Sequence, residues 1–172
     1  MVLAAGCATA PPAASSAARA VILAYDETRV SNPIVFPTPG YENVVRFQLP
    51  DGEHRPLRLL FQAGAEGQLE LTIYDSTILE TPGEPLHKMT RDIAKEDVSN
   101  GKDGRWVVED LVDMKPVKGA IWIGVRKTGG TPMIWASSVL SGQSFVRNND
   151  PNHQMGLLPV KTTPMLRLEI SP

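Results

Sequence analysis

Val45, Phe47 and Leu49 alternate with Arg46 and Gln48, and this apolar–polar period of two constrains the fold more than any other feature of the sequence. Successive side chains of a strand point to opposite faces, so such a segment buries one face and leaves the other in water. The pattern returns at Leu57, Leu59 and Phe61 about Arg58, and again at Leu69, Leu71 and Ile73 around Glu70 and Thr72. Pro50-Asp51-Gly52 and Gly64-Ala65-Glu66-Gly67 supply turn residues between these segments. Together they read as a meander of antiparallel strands.

The flanking chain follows the same logic. Ala20 to Tyr25 is a short apolar run ahead of the polar Asp26-Glu27-Thr28, the pattern of a first strand buried on both faces. Ile34-Val35-Phe36 is a short strand bracketed by Ser31-Asn32-Pro33 and Pro37-Thr38-Pro39-Gly40. Between Asp75 and Asn100 the alternation stops. The prolines and polar residues there predict a long surface excursion with one short helix over 86–98. Regularity resumes at Arg105 to Leu111, after the turn residues Lys102-Asp103-Gly104. Ile121, Ile123 and Val125 share one face of Ala120 to Arg126, Gly129-Gly130 predicts a tight connection, and Pro132 to Ser138 follows as a hairpin partner. Phe145-Val146 forms a minor strand, and Met165 to Ile170 alternates again. Short strands, regular turn signals and almost no helix predict an all-β chain, an antiparallel β-sandwich.

Charge and cysteine usage narrow the function classes. The formal net charge is −2, from 17 basic and 19 acidic residues spread along the chain, so no field would gather nucleic acid or anionic lipid. The sequence holds 1 cysteine, Cys7, which leaves no disulfide to support the fold. No run reaches the roughly 18 apolar residues of a membrane-spanning helix.

No catalytic constellation emerges. His54, His87 and His153 lie in separate polar segments without the spacing of metal ligands on one element. They read as solvated loop residues, and no metal or cofactor is expected. Ser144 lacks the second glycine and the strand–turn–helix setting of a nucleophile elbow. Glu109, Asp110 and Asp113 cluster at one strand end, where a glycosidase would need two carboxylates roughly 5 to 9.5 Å apart. With Lys115 and Lys118 nearby, they read as a charge-balanced strand end. Asn148-Asn149-Asp150-Pro151-Asn152 is dense in oxygen donors but carries too few ligands for a calcium loop, and reads as an Asx-rich turn. The chain is expected to be non-enzymatic.

The tryptophans leave two readings open. Trp122 points opposite to Ile121, Ile123 and Val125, so either both faces of its strand are buried or its ring stands outside as a contact residue. Trp135 lies on the expected partner strand with Arg126 nearby. Aromatic–arginine surfaces serve in protein and sugar recognition, and Trp122, Trp135 and Arg126 are the candidate binding residues.

The N-terminal residues Leu3-Ala4-Ala5-Gly6-Cys7 resemble a bacterial lipobox. The resemblance implies a lipid on the Cys7 thiol and cleavage just before it, with residues 1–6 a remnant of a signal peptide. Ala8 to Ala20 follows as small residues with two prolines and two serines, a composition that buries too little apolar surface to order itself. Residues 7–19 read as a tether reaching about 20 Å, and 20–172 as a single β-sandwich domain. Under the family's sorting rule, Ala8 after the cysteine implies the bacterial outer membrane.

The order of the second half of the chain, a Trp-containing strand, a turn with Gly119, an Ile/Val-rich strand, a Gly-Gly hairpin and a closing strand with Arg167, is similar to jelly-roll domains of the galactose-binding-like and carbohydrate-binding kind, a likeness of pattern over roughly Ala20 to Ile170. A small neutral domain on a lipidated tether also resembles accessory lipoproteins of surface machines, including those of gliding motility. These resemblances imply an interaction or assembly module held to the membrane and engaging other envelope proteins. The alternative is a carbohydrate-binding lipoprotein, and a hydrolase is the outsider.

Overall fold

The computed structural model describes residues 19–25, 30–36, 40–101, 104–138, 142–148 and 155–172. Cys7 and the lipobox, nearly all of the tether, the Pro37–Pro39 turn, most of the Asn148–Asn152 loop and His153 lie outside the described residues. The strands are β1 Val21–Ala24, β2 Val30–Val35, β3 Tyr41–Gln48, β4 Pro56–Phe61, β5 Ala63–Ser76, β6 Pro82–Ile93, β7 Val107–Asp110, β8 Ala120–Ser137, β9 Ser144–Asn148, β10 Met155–Pro159, β11 Thr163–Pro164 and β12 Leu166–Ile170. Their pairings are antiparallel throughout the two sheets, apart from an isolated parallel bridge between Ala63 and Val98. The expected all-β antiparallel sandwich is what the chain forms.

A 4-stranded sheet runs β1-β12-β4-β7, and an 8-stranded sheet runs β10-β9-β3-β8-β5-β6, with β2 and β11 also paired to β8. The 18-residue β8 is the spine of the larger sheet. β2 and β3 lie in line along one side of it, from Val30↔Ser137 to Gln48↔Ala120, while β5 covers the other. The core lies between the sheets. Val45, Phe47, Leu71 and Ile123 from the large sheet meet Leu59, Phe61, Leu166 and Leu168 from the small one. Each such side chain, withdrawn from water, stabilises the fold by about 1.5–3 kcal/mol.

Several expectations are corrected. Residues 82–93 form no helix but the edge strand β6, and the one helical element among the described residues is the 3-10 turn Lys95–Asp97. Its polar sequence follows from its position, since an edge strand keeps much of its surface in water. The meander is broken too, because β4 leaves for the small sheet, and β3 and β5 pair with the two sides of β8 instead of with β4. β1 is an edge strand with Val21 38% and Ile22 55% exposed, not a strand buried on both faces.

Gly129-Gly130 makes no hairpin. β8 runs straight through it, with Gln68 opposite Gly129 and Leu69 opposite Lys127, so Thr128 is the extra residue of a β-bulge. Glycine is needed here for close approach. Gly67, at φ 143, would carry a Cβ only 2.6 Å from Pro132 Cδ.

Candidate functional site

Strand alternation sends the second side-chain set of β3, β5 and β8 to the outer face of the large sheet. Glu42 lies opposite Arg126 and Arg147, and Glu70 opposite Arg126. The registers therefore align Arg147, Glu42, Arg126 and Glu70 as alternating charges across β9, β3, β8 and β5, and Lys88 of β6, opposite Thr72, reaches Glu70 diagonally. Glu42 Oε2 accepts from Arg147 Nε at 2.7 Å, and Oε1 accepts from the Tyr74 hydroxyl at 2.8 Å. Glu70 Oε1 accepts from Arg126 Nε at 2.6 Å, and its other oxygen pairs with Lys88 Nζ at 2.8 Å. The Arg147 guanidinium sits 4.6 Å from the Tyr74 ring centroid.

This network is closed over its own charges. Glu42 is 1% exposed, and Gly124 leaves the room its carboxylate occupies, since a Cβ there would collide with it and with Tyr74. Burial, and then the Glu42 charge and hydrogen bond, push the Tyr74 hydroxyl above its ordinary range. Burial acts to raise the Glu70 carboxyl, but hydrogen bonds and charge from Arg126 and Lys88 outweigh it and hold the group low. The hydrogen bond to Glu70 in turn raises Arg126. Beside the network, Val44, Tyr74 and Trp122 form a second apolar cluster with Phe145 and Leu157 packed against it.

The structure decides between the two readings of Trp122. Its ring is 1% exposed, 5.5 Å from Phe145, and its Nε1 donates to Ser76 Oγ at 3.3 Å. The exposed-contact reading is therefore corrected, because the outer face of β8 is covered by neighbouring strands and their side chains. Trp135 lies at the far end of β8, half-buried, its Nε1 donating to the Ser99 carbonyl at 2.9 Å. Arg126 is held by Glu70. The three candidates do not converge on one surface.

An aromatic–arginine pair does occur, on the outer face of the small sheet. The Arg167 guanidinium lies 4.2 Å from the Trp106 ring centroid. Arg167 is opposite Leu60, and Leu60 opposite Val108, which is 45% exposed. The next row sets Ile22 beside Glu169, and Glu169 beside Arg58, whose Nε donates to Glu169 at 2.8 Å. Sequence reasoning had placed Trp106 on a strand without seeing this pairing, since β7 and β12 meet only through β4.

The remaining candidates find structural roles. Glu109 of β7 forms an ion pair at 3.2 Å with Arg91 of β6, joining the open edges of the two sheets, and Arg91 also pairs with Asp97. Burial raises the Glu109 carboxyl, Arg91 opposes, and Asp97 and Asp110 add to the rise. Lys118, expected to balance this cluster, pairs with Glu53 instead. Asp110 lies opposite Arg58. His54 is not solvated: it is 8% exposed, with Nδ1 2.9 Å from the Ser171 carbonyl and Nε2 3.3 Å from that of Asp51. Ser144 is 2% exposed at the start of β9. Asp113 lines a shallow groove of about 290 Å³ with Pro85, Leu86, Met114, Lys115 and Val117. A neighbouring depression of about 170 Å³ shares Leu86 and Val117.

No family model matches the sequence, and no curated protein matches it. Among solved structures, the chain is similar to the cysteine protease and lectin-like domains of Cwp84, a surface layer associated protein of Clostridium difficile, with a TM-score of 0.52 over 83% of this chain and 9% sequence identity. The chain spans 33% of that structure's length, and the likeness is one of fold, a β-rich chain resembling a protein that includes a lectin-like domain.

Proposed function

We propose that the chain is a non-enzymatic interaction module of the bacterial envelope, held to the outer membrane by a lipid on Cys7 and engaging an envelope partner through the outer face of its small sheet. The observation that supports this is the contrast between the sandwich's two outer faces. The large sheet closes over Glu42, whereas the small sheet leaves Val108 and Ile22 in solvent beside the Trp106–Arg167 pair. Apolar side chains ringed by charged pairs are a common composition for a protein contact.

Metabolic labelling with a clickable fatty acid, followed by membrane fractionation, tests the anchor. Label and outer-membrane localisation are expected in the natural chain and lost in Cys7→Ala; a natural chain that takes no label would sink the anchor.

A second reading, carbohydrate binding, gains support from the lectin-like domain of the structural neighbour and from the Trp106–Arg167 pair. On this reading Trp106→Ala abolishes retention on immobilised cell-wall polysaccharide; equal retention of both proteins removes it.

A further inference from the structure

The chain enters and leaves the sandwich at one end. Val21 pairs with Ile170, and Ile170 with Pro56. The Ser171 amide donates to the Arg55 carbonyl, and His54 exchanges backbone hydrogen bonds with Val117. Asp75 lies opposite Ile121, which brings the β5–β6 loop to the same end, and the depression shared by Ser76, Leu86, Val117 and Lys118 joins these elements.

Exposed apolar side chains gather here. Val21 is 38% exposed, Ile22 55%, Leu86 43%, Val112 75%, Leu79 83% and Ile78 100%. Only Val108 and Leu158, among the described residues, are large apolar side chains exposed elsewhere. Ile78 and Leu79 stand at a loop tip that is held in shape. The Thr77 amide donates to the Thr81 carbonyl at 2.9 Å, their hydroxyls lie 2.7 Å apart, and Glu80, at φ 54, reaches Arg46 at 3.2 Å. The loop presents two large apolar groups to water.

We propose that this end docks on a lipid bilayer, with Ile78 and Leu79 inserted into the interfacial region. The inference rests on the lipid-anchor reading. The residues read as a tether lead into the fold at Arg19 and Val21, so a lipid on Cys7 would hold this end, and not the opposite one, within about 20 Å of the membrane. The apolar groups stand on a loop tip and at strand ends, a geometry suited to entering a fluid interface. Surrounding charges are of both signs, with Lys115 and Lys118 near Glu53 and Asp113. Binding is therefore driven by apolar insertion and is insensitive to salt.

The test uses the full chain carrying Cys7→Ala, so that no lipid is attached. An environment-sensitive dye is placed at Leu79→Cys or, at the opposite end beside Gln68, at Asp92→Cys, and each protein is titrated with phosphatidylcholine–phosphatidylethanolamine vesicles. The expected result is a blue shift at position 79 and none at 92, unchanged in high salt, with partitioning weakened roughly tenfold when Ile78→Asp is added. No shift at 79, equal shifts at both positions, or a shift that grows with protein concentration without vesicles overturns the proposal; the last would mark a contact between copies. Because this protein carries no lipid, the result is independent of whether the natural chain takes the fatty-acid label.

Discussion

On the outer face of the large sheet, a carboxylate is 1% exposed and bonded on both oxygens; at the end where the chain enters, an isoleucine is 100% exposed with nothing over it. One surface hides charge and the other displays apolar groups, the reverse of what each residue type does on average. Buried charge is kept only where it is paired, so the sheet face works as structure. Apolar groups on a held loop do little for the fold, and the loop end is the part proposed above to dock on a bilayer. The difference separates what stabilises the sandwich from what it offers to its surroundings.

Substitutions can break that comparison. The largest effect is expected at Glu42→Ala, which leaves Arg147 and the Tyr74 hydroxyl without their carboxylate and should cost about 3–5 kcal/mol in urea unfolding at neutral pH. A loss under about 1 kcal/mol would show that the face is not sealed by this pair.

Glu70→Gln should cost less, about 1 kcal/mol, and its signature is pH dependence. A carboxyl held low in the folded state contributes stability that is present above its unfolded value of 4.5 and is lost as pH falls through the folded value. The variant should therefore differ from the natural chain at neutral pH and converge with it in acid. Glu109, raised by burial, titrates with the opposite sign in both proteins and cancels in the difference. Parallel unfolding curves from pH 7 to pH 3 provide the check, and a constant gap would remove Glu70 from the account.

The smallest effect is expected from Ile78→Asp with Leu79→Asp, within about 0.5 kcal/mol of the natural chain in the same unfolding assay. A large loss would mean that the tip belongs to the fold, and the contrast between the two regions would collapse.

Much of the sandwich was legible in the alternation. β3, β4, β5, β7 and β12 fall where Val45, Leu59, Leu71, Val107 and Leu168 predict them, because a half-buried strand writes its two faces into successive residues. β6 was illegible because an edge strand writes little of a core, and prolines at 82 and 85 read as loop. The bulge at Thr128 was read as a turn because paired glycines serve both purposes. The charge row was illegible for a different reason. Arg147 and Glu42 are distant in sequence and meet only through the register of β9 on β3, and no single strand records its neighbour's alignment. Trp122 shows the same limit, since its strand pattern allows either a buried or an exposed outer face, and the cluster that buries it comes from other strands.

The wiring around β8 bears on how the molecule comes to exist. β2, β3, β5 and β11 all pair with β8, and β1 and β4 both pair with β12, so most of the first half of the chain has no complete strand partner until the second half has been made. Among the described residues, only β5 with β6 and β9 with β10 are paired strands that also follow one another in sequence. Assembly dominated by such distant pairings is slow, on the order of milliseconds to seconds. An emerging N-terminal half can therefore complete little beyond the pairing of β5 with β6, and the sandwich closes only when the strands that follow have been made.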